Sequence, residues 1–179
     1  VIVVSGTIEF RKKQPEAGKI KKIALVPWQK VAFRQPVYPE DEFRTARGSR
    51  LKIKFQDNSL MALGPNSKMS VGSYIHKPEQ KLRQGVVNVA SGMAMYIVNK
   101  SQKNKKSHFK IKTKVGSLAA RGTHGYISTN GSSMVVANAA GAVQTSNSMG
   151  KAPVGPMQKN MIKAGKPPSK AVKLSKTEL

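Results

Sequence analysis

Apolar and polar residues alternate through residues 44–71, and this period of two limits the fold more than any other feature of the sequence. Because successive side chains of a β-strand point to opposite faces, the alternation separates an apolar set from a basic one: Leu51, Ile53 and Phe55 against Arg50, Lys52 and Lys54. Turn residues follow at 57–59 and again at 64–67. The pattern predicts a β-hairpin in which Asn58 adopts a left-handed backbone and Asp57 bonds its own backbone two residues on.

Short apolar segments continue along the chain, separated by turn residues, and no 3.6-residue period is sustained. The strongest turn signal is Asn130-Gly131. This spacing predicts an all-β sandwich, barrel or roll of short strands. The Lys-rich residues 99–107 are expected at an exposed hairpin tip, and Trp28 is expected to cover one end of the core.

The chain is strongly basic, with 32 Lys and Arg against 8 Asp and Glu in 179 residues and a formal net charge of +24. Between Glu79 and Glu178 there is no acidic residue. Such a field favours an anionic partner: nucleic acid, phospholipid, lipopolysaccharide, an anionic wall polymer or an acidic protein face. A basic surface that serves only solubility is the alternative.

Cysteine is absent, which excludes disulfides, thiolate metal sites and a cysteine nucleophile. No apolar run reaches membrane-spanning length. The sequence opens with a strand-like apolar run at Val1 and without an initiator Met. A removed export signal is one explanation, and an artificial boundary is the other.

The residues form no recognisable catalytic, metal-binding or cofactor-binding arrangement. The acidic triplet at residues 40–42 is consecutive, so in a strand its carboxylates diverge, and counter-charges for Lys and Arg explain it better than a metal site. His76, His108 and His124 are scattered, without a nucleophile elbow, a phosphate-binding glycine loop or zinc-ligand spacing. We expect a protein that is not an enzyme and that needs no cofactor.

Two segments are candidate partner-binding surfaces. Lys110, Lys112 and Lys114 alternate with apolar residues and form the outer face of a predicted strand, where they bind a partner or guard a sheet edge against aggregation. Residues 148–179, rich in Lys, Pro and Gly, predict an extended tail that is disordered alone or ordered on a partner, with residues 1–147 as the β-domain. The tail residues expected to contact a partner are Met157, Lys159, Met161, Ile162, Lys163, Lys166, Lys170 and Lys173.

Three segments in order, residues 44–71, LRQGVVNV at 82–89 and FKIKTKVGSLAARGTHGYIS at 109–128, resemble the FecR domain, a bacterial extracytoplasmic all-β module. Glu40 stands where that family has Gly and is expected to alter the local turn, whereas Asn58, in place of a turn Gly, suits a left-handed backbone. The motif residues that carry the resemblance are Asp41, Thr45, Ser49, Arg50, Asp57, Asn58, Ser59, Pro65, Ser67, Arg121, Gly122 and Thr123.

The resemblance implies a β-solenoid, roll or sandwich over residues 1–145, export to the periplasm, and protein contacts instead of catalysis. The helical segment, membrane span and signalling domain of sigma-factor regulators are not in this sequence, so iron signalling is not expected. We predict a non-enzymatic exported binding or scaffold subunit. It docks in a larger cell-envelope assembly through other envelope proteins or through an anionic surface, which is an acidic protein face, a wall polymer or a lipid.

An RNA- or DNA-binding protein is the main rival interpretation, and a protein that binds the cell wall or cell surface is the third. The few aromatic residues sit at apolar strand positions, unlike the stacking platforms that bind single strands. The last 32 residues use Lys without Arg, which suits point-charge attraction more than bidentate readout of bases or phosphates. Nucleic acid is therefore the less favoured partner.

Overall fold

The computed structural model describes residues 3–12, 26–100, 104 and 106–175. Apart from one 3-10 turn at Pro78–Gln80, every regular element in these residues is a strand. None of the described segments forms a helix long and apolar enough to cross a membrane. The strands are β1 (Val3–Ser5), β2 (Ile8–Lys12), β3 (Gln29–Lys30), β4 (Asp41–Thr45), β5 (Arg50–Lys54), β6 (Leu60–Leu63), β7 (Lys68–Lys77), β8 (Leu82–Val98), β9 (His108–Lys112), β10 (Ser117–Ala120), β11 (Thr123–Thr129), β12 (Ser133–Ala140), β13 (Val143–Asn147), β14 (Gly150–Val154), β15 (Gln158–Lys163) and β16 (Val172–Lys173).

The long strand β8 organises the fold because its two halves belong to different sheets. Its first half pairs with β7 and β9, and its second half pairs with β6 and β11. Sheet 1 runs β1-β5-β6-β8-β11-β12-β15-β16, and sheet 2 runs β3-β2-β4-β7-β8-β9-β10-β13-β14. Gly92, with φ +89°, lies between the two halves of β8. The described strands thus form one open mixed sheet that is folded over at β8.

The inner sides of the two sheets face each other and enclose the core. Thr113 Oγ1, beside β9 of sheet 2, lies 3.3 Å from Met134 Sδ of sheet 1. Asn160 Nδ2 of sheet 1 donates to Thr145 Oγ1 of sheet 2 at 2.6 Å. The largest side chains with less than 2% exposure include Tyr96, Phe43, Phe109, Leu51, Ile53, Met61, Leu63, Met69, Ile111, Leu118, Ile127 and Met134.

The all-β prediction is confirmed, and so is the alternation in β5. Leu51 and Ile53 are buried, whereas Arg50 and Lys54 are exposed. Asn130-Gly131 lies at the turn between β11 and β12, as the sequence predicts.

The hairpin predicted for residues 99–107 is wrong. The strands on either side of it, β8 and β9, run parallel, with Gln84 opposite His108 and Asn88 opposite Lys112. A hairpin joins antiparallel neighbours, so β8 and β9 are related by a crossover and not by a hairpin. The first half of β8 lies in sheet 2 and its second half lies in sheet 1. The chain then returns to sheet 2 at β9. Residues 101–103 and 105 lie outside the described residues.

The predicted boundary after Asn147 does not separate the sheet from an extended tail in the structure. β14 pairs with β13, β15 pairs with β12, and Val154 and Ile162 are fully buried. The prolines do not prevent this because they occupy permitted positions: Pro153 lies in the edge strand β14, and Pro156 lies in a turn. Residues 150–173 are therefore part of the same folded unit, and residues 176–179 lie outside the described part.

Candidate functional site

The turn between β5 and β6 is held by a polar network around the Asp57 carboxylate. Oδ1 accepts from the Ser59 backbone N–H at 3.1 Å and from the Tyr74 hydroxyl at 3.0 Å. Oδ2 accepts from the Ser59 hydroxyl at 2.7 Å and from Arg83 Nη1 at 2.6 Å. Asn58 has φ +62°, the left-handed backbone that the sequence predicts. Asp57 also makes the predicted bond to the backbone two residues on.

Arg83, from the first half of β8, connects this turn to the rest of the core. Its side chain is 3% exposed, and its Nη1 also donates to the Asn99 carbonyl at 3.3 Å. The guanidinium carbon lies 5.6 Å from the centre of the Phe109 ring, while Nε and Nη2 are buried without a hydrogen-bond partner. No local sequence pattern marks Arg83, because its partner Asp57 is 26 residues away.

The electrostatics of the network favour an ionised Asp57. Burial opposes the charged form, but the hydrogen bonds from Ser59 and Arg83 outweigh it, and the pKa of Asp57 lies below its ordinary value. Burial raises the pKa of Tyr74, which therefore remains a neutral donor to Asp57. The Asp57 carboxylate and the Arg83 guanidinium thus form an ion pair inside the fold.

An open cleft of about 440 Å³ lies over this network. Its lining includes His76, Lys81 and Lys100 beside Asp57 and Arg83. Each Asp57 oxygen already accepts two hydrogen bonds, so this carboxylate is not available as a general base. The geometry assigns Asp57 and Arg83 to the structure of the domain.

A second set of motif residues fixes the turn between β6 and β7. Thr45 Oγ1 donates to the Gly64 carbonyl at 2.7 Å and accepts from the Ser67 N–H at 2.9 Å. Ser67 Oγ in turn accepts from the Met93 N–H at 3.0 Å, next to Gly92. Thr45 and Ser67 thereby attach this turn to the bend in β8.

The remaining motif positions divide into buried and exposed groups. Ser49 Oγ accepts from the Thr7 N–H at 2.9 Å, and Asp41 Oδ2 accepts from the Tyr38 N–H at 2.9 Å. Thr123 is buried, and Gly122 has φ +62°. Arg50, Pro65 and Arg121 are exposed, so Ser49 is internal whereas its neighbour Arg50 is not.

Exposed lysines form a surface on the outer side of sheet 2 that we call the lysine face: Lys110 and Lys112 of β9, Lys151 of β14, and Lys114, which lies in the bend after β9 and not in the strand predicted for it. Ala119 and Ser117 of β10 lie opposite Lys110 and Lys112. The next strand, β13, adds Gln144 and Ser146 to the same rows. No Asp, Glu or aromatic ring faces outward from β10, β13 or β14. The face presents isolated positive charges among small polar side chains.

The sequence matches the model of a known protein family. The family model described as FecR protein matches residues 41–144, more than half of the chain. The chain belongs to the FecR family. The matched range runs from β4 into β13 and includes every motif residue from Asp41 to Thr123, whereas residues 1–40 lie outside it.

The FecR domain also shares its fold with solved structures. Two crystal structures of a protein described as a "putative anti-sigma factor" from Parabacteroides distasonis match with a TM-score of 0.58 and 14% sequence identity. The match covers 75% of this chain and 60% of that one. At this identity the likeness concerns the fold alone. A search of curated proteins found no match.

The two departures from the family pattern keep the backbone that glycine would favour. Glu40 has φ +69° and Asn58 has φ +62°, both in the left-handed region. The Glu40 N–H donates to the Val71 carbonyl at 2.6 Å. The substitution at Glu40, which was expected to alter the turn, thus leaves the residue left-handed.

The residues expected to contact a partner from the C-terminal segment take different positions in the sheet. Ile162 is fully buried, so it is core and cannot meet a partner. Met157 and Met161 are 44% and 37% exposed, and Lys159 is half-buried in β15. The other predicted residues are exposed lysines: Lys163, Lys166, Lys170 and Lys173.

Trp28 does not cover the core, contrary to expectation. Its ring lies 4.6 Å from the guanidinium carbon of Arg11 and 4.3 Å from that of Arg44, on the outer side of sheet 2. Arg11 is paired with Glu42 at 2.7 Å, which is the counter-charge role predicted for the acidic triplet. Two other residues of the stretch after Trp28 pack on the core: Val31, which is buried, and Val37.

The histidines show no catalytic geometry. His76 and His124 contact the rings of Tyr74 and Tyr126, and His108 Nδ1 lies 3.1 Å from the Lys106 carbonyl. In the described part of the chain, no group of three or more His, Asp or Glu could hold a metal ion.

Proposed function

We propose that this FecR domain is an exported, non-enzymatic binding subunit that docks in a larger bacterial cell-envelope assembly through protein contacts and basic surfaces. One observation carries the proposal: a domain of this family presents a lysine face without carboxylates in β10, β13 or β14. A surface of one charge attracts and orients an oppositely charged partner. The partner surface is therefore anionic.

A binding role agrees better with the site than catalysis does. The carboxylate in the cleft, Asp57, accepts four hydrogen bonds from the domain itself. The histidines contact tyrosine rings or the backbone. The name of the structural neighbour, an anti-sigma factor, points to action through protein contact, and this chain spans 60% of that protein.

Protein is a better partner for the lysine face than nucleic acid. Proteins that hold single strands stack bases on aromatic side chains between basic residues. Here Lys110 and Lys112 stand beside Ala119, Ser117 and Gln144 instead. Lysine also lacks the planar fork that reads bases or phosphates in pairs. Such point charges suit the carboxylates of an acidic protein.

Reversing the charge of the lysine face is expected to release the protein from the envelope assembly. In the bacterium that encodes it, the variant Lys110→Glu/Lys112→Glu/Lys114→Glu should associate about tenfold more weakly with sedimented envelope complexes, because like charges then meet across the interface. The wild-type association should weaken between about 0.1 M and 1 M salt, as the screening length falls from about 10 to 3 Å.

The variant Lys30→Glu/Arg47→Glu/Lys77→Glu is the matched control, because it changes the net charge equally at exposed positions off the lysine face. It should associate as the wild type does. Equal release of both variants, recovery of the wild type from the cytoplasm, or tight and steeply salt-dependent binding of the purified protein to nucleic acid would contradict the proposal.

A further inference from the structure

The outer side of sheet 1 carries an apolar stripe that crosses the strands. In the six strands from β5 to β15, strand register places one side chain of each strand in the same row. The row contains, in order across the sheet, Lys52, Ala62, Met95, Tyr126, Ala137 and Lys159. Lys52 and Lys159 flank its apolar middle, and strand pairing continues beyond them to Val3 of β1 and Val172 of β16.

A second row lies two residues along the strands and widens the stripe. Met93 pairs with Ser128, Ser128 with Val135, and Val135 with Met161. Met93 is 51% exposed and Met161 is 37% exposed. We call the apolar members of both rows the methionine face: Ala62, Met93, Met95, Tyr126, Val135, Ala137 and Met161.

The methionine face has the composition and scale of a binding surface. Neighbouring strands lie about 4.8 Å apart, so the five steps from Lys52 to Lys159 cover about 24 Å. Met and Tyr are enriched at protein interfaces, and the flexible thioether of Met adapts to irregular partner surfaces. Contiguous apolar patches of this kind on a folded domain are often functional.

The charge around the methionine face has one sign. Lys52 and Lys54 lie at one end, and Lys159 and Lys163 lie at the other. The strands of sheet 1 contain no Asp or Glu. A partner that fits this surface therefore carries carboxylates at both ends of an apolar centre.

We propose that the methionine face is a second docking surface of this FecR domain, separate from the lysine face, and that its occupant is an acidic protein surface, apolar at the centre and rich in Asp or Glu at both ends. This inference rests on the proposed function and adds a second contact with its location and chemistry. A second copy of the chain fits poorly, because it would bring lysine against lysine. A bilayer fits poorly as well, since Met95 and Tyr126 are half-buried and leave little apolar surface to insert into lipid.

Photo-crosslinking in the native bacterium tests this surface. A photoreactive phenylalanine analogue replaces Ser128, which is exposed between Met93 and Val135, or Gln144, which is exposed on the outer side of sheet 2. We expect an adduct from position 128 with an envelope protein, through a peptide that contains Asp or Glu. Adding Met93→Glu and Met161→Glu should abolish this adduct. Adding Met149→Glu, at a residue 56% exposed in the turn after β13, should leave it unchanged.

The outcomes separate this inference from the proposed function. An adduct from position 144 but none from position 128 overturns the methionine face and leaves docking in place. Position 128 could instead crosslink to lipid, to a second copy of the chain, or to a peptide without carboxylates. Each of these results would overturn the acidic protein as occupant. No adduct from either position, with the protein recovered outside the envelope, overturns both proposals. Unchanged thermal unfolding of each variant shows that a lost adduct is not lost folding.

Discussion

Replacing Asp57 by asparagine is expected to lower the free energy of unfolding by about 3 kcal/mol, because it leaves the buried Arg83 guanidinium without its counter-charge. The two side chains are 10% and 3% exposed, and their atoms approach to 2.6 Å. Asparagine keeps the size of the side chain, so the change removes the charge and little packing. Urea unfolding of the purified protein, followed by circular dichroism, measures the difference.

The same substitution should change the pH dependence of stability. The pKa of Asp57 is lower in the folded protein than in the unfolded chain, where an Asp carboxyl titrates at about 3.9. Its stabilising contribution is therefore complete above that value and is lost as the pH falls towards the folded pKa. Unfolding free energies measured between neutral pH and about pH 3 should fall less steeply for Asp57→Asn than for the wild type.

A double-mutant cycle with Arg83→Met separates the ion pair from the rest of the network. Removing both charges restores an apolar contact near Phe109, so the double variant should be more stable than the sum of the single changes allows, by at least about 1 kcal/mol. A loss below about 0.5 kcal/mol for Asp57→Asn, or strict additivity in the cycle, would show that the pair does not hold the turn.

Replacing Gly92 by alanine is expected to cost about 3 kcal/mol, since it disturbs the bend at which β8 passes between the sheets. Gly92 has φ +89°, and an added Cβ would lie 2.6 Å from Ser67 Cα, a backbone atom that cannot move aside cheaply. Ser67 Oγ also accepts a hydrogen bond from the Met93 N–H, so a shift of Ser67 loosens the second half of β8. Urea unfolding again supplies the measurement.

Gly131→Ala is the matched control for the bend. Gly131 has φ +87°, close to that of Gly92, but an added Cβ there meets nothing within 4 Å. Its substitution should cost about 1 kcal/mol from backbone strain alone. If both variants lose the same stability, the contact with Ser67 has no part in fixing the bend.

Local patterns predicted the parts of the fold that depend on neighbouring residues. The alternation in β5 predicted a strand with one buried face, and Leu51 and Ile53 on that face are buried. The turn at Asp57 required only a side chain that reaches the backbone two residues on, and Asp57 Oδ1 does so. The order of such motifs was enough to indicate the FecR family.

What the sequence could not predict depends on which strands become neighbours. Arg83 meets Asp57 because β8 pairs with β7 and β6 in turn, which no local window reveals. Pro153 argues against a strand unless that strand lies at an edge, and the position of β14 follows from the order of the sheet. The methionine face likewise exists only after pairing brings residues from β6, β8, β11, β12 and β15 into common rows.

Methionine oxidation of the unmodified protein tests docking through the methionine face most directly. Met93 and Met149 are 51% and 56% exposed, so both should oxidise at similar rates in the purified protein, and only Met93 lies on the face. In the native cell envelope, we expect Met93 and Met161 to oxidise severalfold more slowly than in the purified protein, while Met149 keeps its rate. Unchanged oxidation of Met93 in the envelope, or protection of Met149 alone, would contradict docking through this surface.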